Sequence, residues 1–208
     1  MHPNPAFRTK NEALNLDFAR KRGFGILSIN GAAGPLVSHV PLLLSDDGVT
    51  ADFHLVRSNP IAREVKEPVP AVFALSGGDS YISPDWYGIE DQVPTWNYVA
   101  VHLRGNIAPL PADDLRGLIE ALSAHFEERL LPKAPWLSEK MTEGLMERMM
   151  RQIVPYRLTI ASVDGTWKLG QNKPDSARLG AARAVAEAGI GQELAWLAAL
   201  MEEPPVLG

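Results

Sequence analysis

The sequence predicts an α+β protein built on a small antiparallel barrel, Greek-key-like in its connections, with helices at its periphery. Three observations predict it. Short strand candidates separated by turn signals crowd the chain as far as Leu110. One helix of about two turns interrupts them, too short for the crossovers of a doubly wound sheet. The longer helical patterns collect after Asp113.

Thr9 and Glu12 stand at capping-box spacing, and the helix they open runs to Arg22, where Gly23 closes it. GFGILSIN is the first strand. The chain turns between Gly31 and Pro35, LVSHVPLLL forms a largely buried strand despite Pro41, and SDDG supplies a hairpin turn into VTADFHLV. Asn59 caps the short helix, which Pro60 begins and Pro68 ends. PAVFALSG is a strand, SGGDS a turn, YIS a short strand and PDWYGIEDQVP a loop.

TWNYVAVHLRGNIAPL is the longest strand-like stretch and leaves the core near Gly105. A helix spans Asp113 to Leu131 with Leu115, Leu118, Ile119, Leu122 and Phe126 on one face, and a second runs from about Ser138 to Ile153 with Leu145 and Met149 inward. YRLTIASVDGTWKL returns to strand character. Two short alanine-rich helices follow, Ser176 to Ala188 and Gln192 to Met201. With no internal repeat or low-complexity linker, residues 1–208 are expected to form a single domain with a helical appendage over about 175–208.

The 208 residues are 46% hydrophobic and 22% charged, a globular profile long enough for a hydrophobic core. Cysteine is absent, so disulfides, thiolate metal sites and cysteine nucleophiles are excluded. No apolar run reaches signal-peptide or membrane-span length, and the expectation is a cytoplasmic protein without a membrane partner.

The net charge of −5 gives no general attraction to nucleic acid. Between Asp113 and Arg151, six Lys or Arg face eight Asp or Glu, which opposes phosphate contact, and no recognition helix is visible. His39, His54 and His102 are dispersed with no ligand spacing, so no metal is expected. Dinucleotide and P-loop glycine fingerprints and a G-x-S-x-G elbow are also missing.

Three clusters carry chemistry. HLVRSNPIAREV delivers Arg57, Ser58 and Asn59 to a helix start, with Arg63 one turn on, which outlines an anion site; the plainer reading is a capped surface helix with solvated arginines. Tyr81, Trp86, Tyr87, Trp96 and Tyr98 could rim a planar ring system, although barrel aromatics are more often core. Lys168, Gln171, Asn172 and Lys173 follow a strand directly, with Gly170 freeing the backbone; a solvated turn is the alternative.

Taken together, SHVPLLL, HLVRSNP, YISPDWYG, VPTWNYVAVHLRG and KLGQNKP resemble the motif set of the PaiB family, the FMN-binding negative transcriptional regulators, in the family's order from about Leu36 to Pro174. The resemblance implies the FMN-binding split β-barrel, related to pyridoxamine-phosphate oxidases and flavin reductases, in a homodimer with flavin sites at the subunit interface. Phe53 stands where the family commonly has glycine, Ser58 where it has alanine, and LGQNKP where it has LSQNRP. Phe53 is expected to fill space near the ligand and Ser58 to add a phosphate donor.

On this resemblance Arg57, Ser58, Asn59 and Arg63 surround the FMN phosphate, with Ser38, His39 and Val40 alongside the ring. Trp96, Asn97 and Tyr98 form the ring rim. Lys168, Gln171 and Lys173 form the polar edge, where a cation stabilises the negative charge of a reduced flavin. The implied function is that of an FMN-binding transcriptional regulator, with DNA as a partner through the resemblance alone. A flavin-dependent oxidoreductase or flavin reductase, and a flavin-free or haem-binding barrel using His39, His54 or His102, are the alternatives.

Overall fold

Burial alternates residue by residue from Phe24 onward, and the computed structural model shows the strand that this pattern dictates, β2 (Phe24–Gly31), with Leu27 and Ile29 inward. The structure describes residues 1–9 and 11–207. β2 turns tightly into β3 (Gly34–Pro41), in register from Phe24↔Pro41 to Gly31↔Gly34. Gly34, at φ +130°, makes that turn possible.

The remaining strands are β1 (Arg8–Thr9), β4 (Leu43–Leu44), β5 (Thr50–Val56), β6 (Val69–Ile82), β7 (Thr95–Pro109), β8 (Ile153–Lys168) and β9 (Ile190–Gln192). The helices are α1 (Glu12–Arg22), α2 (Pro60–Glu64), α3 (Asp114–Glu127), α4 (Leu145–Met150), α5 (Asp175–Ala188) and α6 (Leu194–Glu202). The strand order is β3-β2-β6-β7-β8-β5-β4, with β1 beside β8 and β9 beside β6. This antiparallel, unclosed sheet with attached helices is the α+β class expected.

The chain divides into two compact units. One comprises Met1–Phe18, Leu75–His102 and Val163–Gly208, and the other Ala19–Ala74 and Leu103–Ser162. In the first unit, α5 buries Ala177, Ala181, Ala182 and Val185, and α6 buries Leu197 and Met201. In the second, Phe53 lies between Phe73 and Tyr156, at ring-centroid distances of 5.2 and 5.7 Å.

Several local expectations are corrected. Asn11, rather than Thr9, caps α1: its Oδ1 accepts the Leu14 N–H at 3.1 Å, while the Thr9 hydroxyl donates to the Leu207 carbonyl at 2.6 Å. LVSHVPLLL is two strands: the Leu42 N–H still reaches the Gly23 carbonyl at 2.9 Å in the β2–β3 register, after which Leu43 and Leu44 change partner and pair with Asp52 and Ala51 of β5. SGGDS is not a turn but the middle of β6. Its glycines admit the α6 helix: a Cβ on Gly77 would lie 2.8 Å from Trp196 Cζ3, and one on Gly78 3.1 Å from Leu197 Cβ.

β7 runs from Thr95 to Pro109, the length expected, but it does not leave the core at Gly105: Ile107 beyond it is fully buried, and a Cβ at Gly105 would meet the Thr159 carbonyl oxygen at 1.8 Å, so the glycine serves close strand approach. The helix expected from Ser138 to Ile153 is instead one 3-10 turn (Ser138–Lys140) and the short α4, separated by Gly144 at φ +73°. Ile153 already pairs with Val56 in β8.

Candidate functional site

In the first unit, the end of β8, the loop after it and the start of β7 enclose a pocket of about 250 Å³. Lys168 and Lys173 both line it. Lys168 Nζ donates to Thr95 Oγ1 at 2.5 Å and lies 5.7 Å from the Phe7 ring centroid. Lys173 Nζ donates to Gln92 Oε1 and lies 5.2 Å from the Tyr87 ring centroid. Among the described residues neither ammonium is paired with a carboxylate, although Asp91 also lines the pocket.

Electrostatics follow from that arrangement. Burial, then the charge of Lys173, pushes the Lys168 ammonium below the ordinary lysine range. Burial, then Lys168, then the terminal amine lowers the His2 imidazole. Burial raises the Tyr87 hydroxyl. Two cations answered only by neutral acceptors form a donor set suited to an anionic, oxygen-rich ligand, and such a ligand would relieve their mutual repulsion.

The polar loop is tied by its own residues. Gln171 Oε1 accepts the Leu169 N–H at 2.8 Å, and its Nε2 donates to the carbonyls of Trp167 at 2.6 Å and Ala6 at 3.1 Å. Gln171 is therefore committed to shaping the loop that presents Lys168 and Lys173. Gly170 stands at φ +81°, the left-handed conformation that its position in KLGQNKP anticipated.

Neighbouring strand residues project to opposite faces, and Trp96, Asn97 and Tyr98 are divided accordingly. Asn97 lines the pocket but is 1% exposed, its Nδ2 3.6 Å from Met201 Sδ. The Trp96 indole is 46% exposed and stands edge-on to Tyr81 at 6.4 Å. Burial raises the Tyr98 hydroxyl, with the Thr166 side chain acting in the opposite sense. His2, Phe7, Gln92 and Thr95 also line the pocket and were not singled out from sequence; only Thr95, inside VPTWNY, carried a signal.

In the second unit, the structure brings Asn59 to Ser38. Asn59 Oδ1 accepts the Ile61 N–H at 2.9 Å, as an N-cap should, and its Nδ2 donates to Ser38 Oγ at 3.0 Å. Asn59 thus ties α2 to β3. Arg57 Nε donates to the Arg151 carbonyl at 2.7 Å, and its two Nη groups have no hydrogen-bond partner among the described residues. Ser58 and Arg63 are exposed. His39 is exposed and stacks on Phe24 at 6.4 Å, whereas Val40 points into the core.

Phe53 is wholly buried in the aromatic core of its unit, against Phe73 and Tyr156. Among the described residues no group of three or more His, Asp or Glu is placed to hold a metal ion, and no helix is long and apolar enough to cross a membrane.

A family model described as "Putative FMN-binding domain" matches residues 1–162. The chain is 27% identical over 172 residues to the protease synthase and sporulation protein PAI 2 of Bacillus subtilis (strain 168), covering 82% of each chain. Among solved structures it is similar to the conserved hypothetical protein Rv2991 of Mycobacterium tuberculosis, with a TM-score of 0.55 at 15% identity over 83% of this chain and 94% of that one. It is also similar to the FAD and heme binding protein of Mycobacterium smegmatis, with a TM-score of 0.54 at 16% identity over 77% and 72% of the two chains. At such identities the structural likeness speaks for the fold, which is the split barrel that the motifs implied.

Proposed function

This chain belongs to the PaiB-like FMN-binding domain family, and on that premise we propose that it is an FMN-binding flavoprotein that acts as a homodimer in negative regulation of transcription. The observation that carries the cofactor assignment is the Lys168 and Lys173 pair, two cations in one pocket with only neutral partners. The ring's polar edge is assigned to these lysines, on a loop that Gln171 holds in shape. Of the ring rim, Asn97 is assigned to the pocket that holds the lysines, and Trp96 and Tyr98, on the opposite face of β7, to the ring of a flavin bound with a second copy of the chain.

The phosphate is assigned to Arg57, Ser58 and Arg63, with Asn59 positioning the helix start and Ser38, His39 and Val40 running alongside the ring. β3 ends the strand order, so its outer backbone groups are available to a ligand or a second copy of the chain. That second copy supplies the rest of the site. FMN, when bound, supplies the redox chemistry; the protein binds, orients and shields it.

The test is a visible absorption spectrum of the purified protein, dialysed after addition of FMN. Retained oxidised-flavin bands are expected, with affinity about tenfold or more weaker in the Lys168→Met, Lys173→Met double variant. A folded wild-type protein that stays colourless overturns the cofactor assignment. For the regulatory role, deletion of the gene is expected to raise specific transcripts, and an unchanged transcript profile overturns it. Sedimentation at micromolar concentration reads the dimer directly.

A further inference from the structure

A second cavity, unconnected with the flavin reading, opens in the other unit. It measures about 410 Å³ and lies between α3 and the segment that follows it. That size suits a small organic molecule. Leu131, Trp136, Leu137 and Met146 give it apolar walls, and Leu131 and Leu137 are 60% and 57% exposed. Large apolar side chains clustered in the open mark a binding surface more often than chance exposure.

The cavity is also built. Glu127 Oε2 accepts the backbone N–H of Trp136 at 2.8 Å and the Lys133 ammonium at 2.5 Å, which fixes the loop carrying the indole against α3. The hydrogen bond from Lys133 holds the Glu127 carboxyl below the ordinary range, so this clamp stays charged. Lys140 donates to the Pro135 carbonyl at 3.1 Å and braces the same loop.

Charge decides what the cavity would take. Four carboxylates line it, those of Glu120, Glu127, Glu128 and Glu139, and no lysine or arginine does. Glu120 pairs with Arg116 and Glu127 with Lys133. Among the described residues Glu128 and Glu139 have no ion-pair partner. Two unanswered carboxylates beside an indole and three aliphatic walls are complementary to a cation that carries an apolar body.

We propose that this cavity is a binding site for a small amphipathic organic cation, an aryl- or alkylammonium, whose apolar part lies on Trp136, Leu131 and Leu137 and whose charge meets Glu128 and Glu139. An anion or a neutral analogue lacks the second half of that recognition. The site is separate from the flavin assignment, and neither stands or falls with the other.

The experiment is calorimetric titration of the full-length protein with benzyltrimethylammonium, benzenesulfonate and tetramethylammonium, each with and without saturating FMN. The aryl cation is expected to bind one site per chain, unaffected by FMN. Its affinity should fall about tenfold or more in the Glu128→Gln, Glu139→Gln variant and again in Trp136→Ala, each checked for an unchanged unfolding midpoint. Tetramethylammonium should bind more weakly, and benzenesulfonate not at all.

Equal binding of cation and sulfonate, or an undiminished affinity in the folded glutamine variant, overturns the proposal. So does the absence of saturation below about 10 mM aryl cation. Dissociation of a dimer by Leu131→Ser, with no cation binding, overturns it in favour of a second copy covering the cavity.

Discussion

The indole Nε1 of Trp167 donates to Asn15 Oδ1 at 3.0 Å, joining β8 to α1 through a side chain that is 1% exposed. Gly165 lies beneath the same amide, where a Cβ would stand 2.0 Å from Asn15 Oδ1. A buried donor that loses its acceptor keeps its desolvation cost. Asn15→Ala is therefore expected to lower unfolding free energy by about 1–3 kcal/mol and shift Trp emission, read by fluorescence-detected denaturation. A stability unchanged within error would show that the pair contributes nothing.

Gly77 and Gly117 should respond to alanine in opposite directions. At Gly77 the added Cβ meets Trp196 and Val99 at 2.8 and 3.0 Å, and overpacking of this kind costs about 1–3 kcal/mol. At Gly117, within α3, the Cβ meets nothing within 4 Å, and the gain in helix propensity is about 0.5–1 kcal/mol. Paired thermal melts of the two variants check the sign of each.

His54 predicts a pH dependence. Its Nδ1 is buried without a hydrogen-bond partner among the described residues, and burial lowers its imidazole from the ordinary value. The unfolded chain takes up a proton near pH 6.5, while the native chain resists until a lower pH. The unfolded state thus binds more protons in that window, and stability falls as pH drops from about 6.5 toward the native value. Denaturation midpoints between pH 8 and 5 should fall less steeply in His54→Leu than in wild type.

Arg157 and Asp52 face each other across β5 and β8, Nε to Oδ1 at 2.6 Å and Nη2 to Oδ2 at 2.7 Å. Both are partly exposed, so water and salt screen the pair despite its bidentate geometry. Asp52→Asn is expected to cost no more than about 1 kcal/mol at low salt, and less as salt rises. A salt-independent loss above that would mean that the pair is more shielded than its exposure implies.

Local rules made much of this legible in advance. The Asn-Pro step announced the α2 cap, because capping chemistry lies within two residues, and Gly170 announced its left-handed backbone. What escaped depends on partners distant in sequence. SGGDS reads as a turn until α6 is known to lie over it, and Gly105 reads as an exit until the Thr159 carbonyl is placed beside it. Lys168 and Lys173 were readable as donors, but His2 and Phe7 join their pocket only through folding of the N-terminal segment. The aromatic core around Phe53 is not legible from its own strand, because its neighbours Phe73 and Tyr156 come from other strands.

The first unit is stitched from three segments, and its N-terminal portion is held by the last ones: Arg8 pairs with Thr166, and the Thr9 hydroxyl reaches the carbonyl of Leu207. During synthesis, Arg8 and the Thr9 hydroxyl wait for these partners until β8 and Leu207 have been made. Such non-local closure slows folding and leaves apolar surface open in the meantime. A chain that lacks β8 lacks the strand on which β1 closes, and in it this unit stays open.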